Sequence, residues 1–331
     1  MSQGRASVQG VAVPAEKVEL AEFLSRYGTV VALVVVFVTF SALSPQFLTV
    51  DNLINVLRQV STLAIVTAGL TVCIAAGEFD LAVGSVASLS GILVSGLIVR
   101  QEQPAWAAIA VALASGVAFG LLNGVLVSWL RIPSIITTMG TSSVAVGVNF
   151  AYAGGDSIYG RFPDEFRFIG QGFVGPIPFA VILAVVIVIC LAFFLDKTRP
   201  GRYIVATGGN PTAARLIGIN VSRYRLLALL ICSLCAALAG VVLTSYLGTG
   251  QPLGGQVYTL MGLAAVFLGM TTIRPGQANM PGTVVGVLIL GILSNGLNLV
   301  GAPFYLQEAI RGLILVLSVA LAVVREEIRF F

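Results

Sequence analysis

The chain has 331 residues, 57% of them hydrophobic and only 10% charged, against roughly 25% charged residues in soluble domains, and its formal net charge is +4. There is no histidine, so imidazole is absent as proton relay, general base or metal ligand, and the commonest enzyme chemistries go with it. In so apolar a chain a small positive charge reports membrane orientation rather than nucleic-acid binding; the sequence reads as an all-α, polytopic membrane protein with no metal site and no nucleic-acid partner.

The first 26 residues are polar, with Glu16, Glu19 and Glu22 beside Arg5, Lys17 and Arg26. The apolar segment that follows starts too late and runs too far for a signal peptide, which predicts an uncleaved cytoplasmic tail and a first span. A span needs about 20 mostly apolar residues. About ten such runs follow, at 27–44, 60–76, 81–99, 105–130, 133–153, 173–195, 225–247, 256–273, 282–300 and 304–324, with 52–60 as an amphipathic interfacial segment. The fifth and eighth are the weakest, being short or interrupted. One permease-like body, 27–325, thus carries a polar loop at 196–225 and a short tail at 326–331.

With the N-terminus inside, Arg131, Arg274, Arg325, Arg329 and the six cations of the 196–225 loop fall on the same side as the tail. Only Arg58, Arg100, Arg161 and Arg167 fall outside, so both termini are expected in the cytoplasm of a bacterial inner-membrane protein. The outer loop 154–172 is the natural landing area for an external partner.

Several residues in or between spans can carry function. Gly77-Glu78-Phe79-Asp80-Leu81-Ala82-Val83-Gly84-Ser85 separates two apolar runs. It is either a turn in cytoplasmic water, with Asp80 capping the next helix, or a break at membrane depth lining a solute path or gate. In the second case Asp80 does not tolerate loss of its charge, while Glu78 is expected to face water. Gly116, Gly120 and Gly124 recur every four residues and predict close helix packing, with Asn123 beside them. Cys232 and Cys235 have CxxC spacing but lie among apolar neighbours, as Cys73 and Cys190 do, and read as packing residues. Asn295 and Asn298 in the ninth span are buried amides able to line a path. Glu308 and Arg311, three residues apart in the last span, share a helical face as a structural pair or as part of a pathway.

The most informative stretch is the 196–225 loop, with Lys197, Arg199, Arg202, Arg215, Arg223 and Arg225. At its centre Gly209-Asn210-Pro211-Thr212-Ala213-Ala214-Arg215-Leu216-Ile217-Gly218 marks both ends of a short helix: Asn210 as cap, Pro211 at the first position, Gly218 as left-handed stop. A stub so short is marginal alone and makes sense as a docking element on the cytoplasmic side. A phosphate-binding loop is excluded, because neither lysine of the chain follows a glycine into a helix. If ATP drives this protein, another chain binds it.

Three stretches carry a resemblance: Asn52-Leu53-Ile54-Asn55-Val56-Leu57 leading to 77–85; Gly201-Arg202-Tyr203 through Gly208-Gly209-Asn210-Pro211 to Arg215-Leu216-Ile217-Gly218-Ile219-Asn220-Val221; and Asn295-Gly296-Leu297-Asn298-Leu299. The chain, over roughly 28–324, resembles the inner-membrane permease subunits of bacterial ABC importers for ribose, xylose, galactose and related compounds. The resemblance implies the importer permease fold, a second permease subunit, an ABC ATPase docked on 209–218, a periplasmic solute-binding protein and a sugar or polyol as solute. It implies no cofactor on this chain, with ATP and Mg used by the ATPase, and no enzymatic activity. The family often has Leu-Gly-Gly-Thr-Ser and a glycine-rich loop where this chain reads Leu268-Gly269-Met270-Thr271-Thr272 and Arg274-Pro275-Gly276-Gln277. The rival readings are an ion-coupled secondary transporter with Glu78, Asp80 or Glu308 as carrier and, more distantly, a membrane-embedded enzyme.

Overall fold

A computed structural model describes the backbone of residues 15–274 and 276–328 and the side chains of 28–274 and 276–321. The chain runs through α1 (Ala15–Leu43), α2 (Val50–Ala75), α3 (Val83–Val99), α4 (Ala105–Ser128) and α5 (Ser134–Ala153). Next come β1 (Ile158–Tyr159), α6 (Asp164–Gln171), β2 (Phe173–Val174), β3 (Ile177–Pro178), α7 (Phe179–Lys197), α8 (Arg199–Gly209) and α9 (Pro211–Leu216). It closes with α10 (Val221–Leu247), β4 (Thr249–Gly250), α11 (Val257–Met270), α12 (Met280–Leu299) and α13 (Phe304–Ile328). Among the described residues, α2, α4, α7, α10, α12 and α13 are long and apolar enough to cross a membrane; α3, α11 and the part of α1 from Gly28 are shorter apolar helices.

Every expected span overlaps a helix, although α5, over 133–153, is not among those long and apolar enough to cross, and five boundaries differ. The segment 52–60 does not lie apart: it is the start of α2, where Thr49 accepts from the Asn52 N–H and Val56 and Val60 pack with Leu290 of α12. The outer stretch 154–172 is not a bare loop, since β1 pairs antiparallel with β4 and α6 docks on the far end of α10, where the Ser245 hydroxyl accepts from Gly170 N–H (2.8 Å) and donates to Phe166 C=O (2.6 Å). The 196–225 loop holds two helices, α8 and α9. Helix α1 begins at Ala15, inside the stretch assigned to the tail, and α13 continues past residue 325 to Ile328.

Helices α2 and α10 form the centre and α7 and α13 the rim: 78% of the apolar stretch of α2 is buried, against 17% for α7. In hydrocarbon, helices associate through close contact and satisfied polar groups rather than through expulsion of water. The glycine stripe of α4 supplies the contact. A Cβ on Gly120 would sit 2.8 Å from the Cα of Leu230, and one on Gly124 2.8 Å from Leu226 Cγ, so α4 and α10 touch backbone to backbone. Gly69 of α2 meets Cys232 and Cys235 of α10 in the same way, which gives those thiols the packing role their neighbours indicated. At the end of α2 far from α9, Asn52 and Asn295 exchange amide hydrogen bonds of 3.1 and 2.9 Å, joining α2 to α12.

Candidate functional site

The capped stub forms as its sequence specifies. Asn210 Oδ1 accepts from the N–H groups of Thr212 (3.1 Å) and Ala213 (2.9 Å), Pro211 takes the first position, and Gly218 turns the chain at φ +84°. The resulting helix α9 has 6 residues. Ala214 is buried against Ile219 and Val221, which holds the stub to the start of α10. Its tip points away: Leu216 is 84% and Ile217 76% exposed. Before the stub, α8 starts with Thr198 accepting from Gly201 N–H (3.2 Å) and is held to α10 by an edge contact of Tyr203 and Tyr224, 5.3 Å between ring centres. Its last turn lies on the end of α2, where a Cβ on Gly208 would come 2.8 Å from Gly77 N and closer still to Ala75 C=O.

Residues 76–82 then leave helical geometry, with Gly77 at φ +79°. This break is not a turn in water. Asp80 is fully buried, and its Oδ2 accepts from the hydroxyl of Ser233, about 18 Å along α10 from Val221 at 1.5 Å per residue. Non-helical backbone at such depth requires partners from the protein. Phe79 N–H donates to Ser134 Oγ (3.1 Å), Leu81 N–H to Thr138 Oγ1 (3.0 Å) and Ala82 N–H to Asp80 Oδ1 (2.9 Å). A second non-helical stretch, 251–256, meets the start of α3: Gly255 N–H donates to Ser88 Oγ (2.9 Å), and Gly84 N–H to Thr259 Oγ1 (3.2 Å). Ser85, also fully buried, bonds Ser142 (2.6 Å) and accepts from Gln256 Nε2 (2.8 Å), while Asn149 Nδ2 reaches Pro252 C=O (3.2 Å). Hydroxyls and amides of α3, α5 and α11 thus replace the missing helical hydrogen bonds of both breaks.

The carboxylate next to this break was expected in water and is not. Glu78 is 5% exposed and faces Arg225 in the first turn of α10, with Nε to Oε1 at 2.8 Å, a contact of charges off the N–H axis. It lines a cavity of about 610 Å³ at the stub's end of the protein together with Arg131 and Arg215. At the opposite end, Asn298 and Arg311 line a cavity of about 260 Å³ with Tyr246, Tyr258, Gln59 and Ser294. Arg311 pairs with Glu308 and donates to Ser294 Oγ (3.3 Å). Asn295 faces Asn52 rather than a cavity, and Asn123, fully buried, accepts from Thr141 Oγ1 (2.7 Å), tying α4 to α5. Of the residues singled out for a pathway, Glu78, Asn298 and Arg311 therefore reach cavities, and Asp80, Ser85, Asn123 and Asn295 join elements. Sequence reading missed Arg131 and Arg225, because an arginine at the end of a span reads as an orientation signal whatever it faces.

Residues 52–319 match the family model described as branched-chain amino acid transport system / permease component. The chain belongs to this permease family. Among curated relatives, the ribose import permease of Escherichia coli (strain K12) is 38% identical over 300 residues, covering 90% of this chain and 93% of that one. The ribose import permease of Bacillus subtilis (strain 168) is 35% identical over 299 residues, and the D-allose transport system permease of Escherichia coli (strain K12) is 33% identical over 302, each covering at least 90% of this chain and 92% of the relative. No solved structure matches. As a permease component of an ABC importer this is a multi-pass inner-membrane protein, a transport subunit and not an enzyme, which decides against both rival readings.

Proposed function

We propose that this permease forms the translocation path for a sugar or polyol, handed to it outside the cell by a binding protein and released inward when an ATPase bound to α9 closes. The observation that carries the reading is the stub tip. Two adjacent large apolar side chains, Leu216 and Ile217, are held out from the surface by a cap, a proline and a left-handed glycine. Nothing in the chain's own packing requires that exposure, and an apolar knob on a rigid base is what a partner's groove takes. In this reading the stub, residues 209–218, faces the cytoplasm, as do both termini, ATP and Mg are bound by the partner, and this chain carries no cofactor. The permease pairs with a second permease subunit.

The sugar reading rests on the ribose and allose permeases at 33 to 38% identity and on the cavity at the far end. Asn298, Arg311 and Gln59 offer hydrogen bonds there, and Tyr246 and Tyr258 offer aromatic faces, the two chemistries a polyhydroxylated ring uses. Glu78 acts at the inner mouth of the path; Asp80, Ser85, Asn123 and Asn295 position it, and Glu308 fixes Arg311. The test replaces Leu216 and Ile217 with Ser in the full importer reconstituted in vesicles. Expected are normal insertion, loss of ATPase association and loss of ATP-dependent ribose uptake; intact association and uptake would remove the docking role.

A further inference from the structure

The break at 76–82 sets an aromatic ring between two buried carboxylates. Glu78 and Asp80 are 5% and 0% exposed, whereas Phe79 between them is partly exposed and stacks on Phe267 of α11, with 6.1 Å between ring centres and 25° between planes. Its backbone is held from the other side. Phe79 N–H donates to Ser134 Oγ (3.1 Å) and Phe79 C=O accepts from Thr138 Oγ1 (3.4 Å), both hydroxyls standing on α5. Helices α5 and α11 both pack on α3, so they flank the break from two sides, and the ring of Phe79 spans from one to the other. Gln256, Leu260 and Phe267 share one face of α11, and Leu260 on it is exposed, as Ile135 and Met139 are on α5. The space that the ring crosses therefore opens on the surface of the chain and is not part of its core.

Polar groups lie on both sides of the stacked pair. Toward the stub, the cavity of about 610 Å³ reaches Glu78 and Ser134. Away from it, about 12 Å along α5 from Ser134 at 1.5 Å per residue, Ser142 and Gln256 Nε2 both bond the Ser85 hydroxyl. We infer, on the importer reading, that Phe79 and Phe267 form the inner gate of the translocation path. A stacked pair of rings offers a polyhydroxylated solute no hydrogen bond, and a narrow apolar constriction sheds water as well, so the path is shut while the rings touch. The docked partner supplies the drive. Gly208 of α8 rests on the backbone of Gly77, two residues before Phe79, so a displacement of the stub shifts the backbone that carries one ring while the other stays with α11.

The full importer is reconstituted in vesicles, and leakage of preloaded radiolabelled ribose without ATP is followed beside ATP-driven uptake. Wild type is expected to hold its ribose. Phe79→Ala and Phe267→Ala are each expected to leak about threefold to tenfold faster, the factor that loss of one stacked aromatic pair gives. Phe79→Tyr, which keeps the ring, is expected to stay tight. Dextran trapped in the same vesicles stays inside in every case, which separates an open gate from a damaged membrane. In a second measurement Phe79→Cys and Phe267→Cys are combined with Cys190→Ser, the other native thiols being buried, and a short bifunctional thiosulfonate joins the new pair. The cross-linked importer is expected to keep its ATPase and lose ATP-driven uptake, and reduction of the link to restore it. Equal leakage by wild type and Phe79→Ala, or undiminished uptake by the cross-linked importer, overturns the gate alone. A wild-type importer that takes up no ribose with ATP removes the importer reading and the gate with it.

Discussion

Gly77 and Gly208 meet with no space for a side chain on either: a Cβ on Gly77 would lie 3.2 Å from Gly208 Cα, and one on Gly208 2.8 Å from Gly77 N. The last turn of α8, at Gly208 two residues before the stub's cap, thereby rests on the backbone at which α2 breaks. Any displacement of the stub carried through α8 reaches that break without an intervening flexible side chain.

Gly208→Ala is expected to lower the thermal stability of the purified permease by about 1–3 kcal/mol, the range for overpacking a tight contact. Gly209→Ala, next in sequence, meets open space and is expected to be neutral or slightly stabilising. Equal melting temperatures for the two variants would show that the α8–α2 contact is looser than described.

The ion pair of Glu78 and Arg225 joins the break to the first turn of α10. Removing one partner leaves the other charge poorly solvated, so Glu78→Gln and Arg225→Gln are each expected to destabilise by about 1–3 kcal/mol. The double variant is expected to lose less than the sum of the two. Additive losses in a double-mutant cycle would mean that the pair is not coupled.

Among the described residues no cation pairs with Asp80; its two oxygens accept from a backbone N–H and a hydroxyl. An amide keeps the acceptor toward Ala82, and a serine hydroxyl can accept as well as donate. Asp80→Asn is therefore expected to insert and transport near the wild-type level, against the expectation for a charged gate, while Asp80→Leu strands both partners and costs about 1–3 kcal/mol. Severe loss of uptake in a well-folded Asp80→Asn protein would restore the gate.

Gly218 holds φ +84°, a conformation that a β-branched residue adopts only with strain. Gly218→Val is expected to insert normally, cost about 1 kcal/mol or more locally and weaken ATPase association, as measured by copurification from membranes. Gly218→Asn, which tolerates the left-handed region, is expected to retain association.

How far the sequence could be read depended on whether the signal was local. The stub was legible because Asn210, Pro211 and Gly218 each act within a few residues, and the α4 stripe because three glycines at one spacing admit one packing outcome. Helix α8 was not, since Pro200, Gly201, Gly208 and Gly209 argue against a helix. What overrides that propensity is docking, with Gly201 seated on Leu195 and Gly208 on Ala75, contacts between residues from different helices. The same holds for the break. Its glycines and acids announced an interruption, but whether it faced water or protein was decided by Ser134, Thr138 and Ser233, which lie 55 to 153 positions away.

The reciprocal amides of Asn52 and Asn295, and at the other end of the same two helices the hydroxyls of Thr71 and Thr283 2.9 Å apart, act as a vernier between two mostly apolar surfaces. Leucine, isoleucine and valine side chains of α2 and α12 would pack passably after a slip of one helical turn, about 5.4 Å. Such a slip would strand two carboxamides in surroundings that hold no water to receive them. One register is thus singled out at both ends of α2, and everything hung on α2, down to the backbone on which Gly208 rests, inherits its height from these pairs.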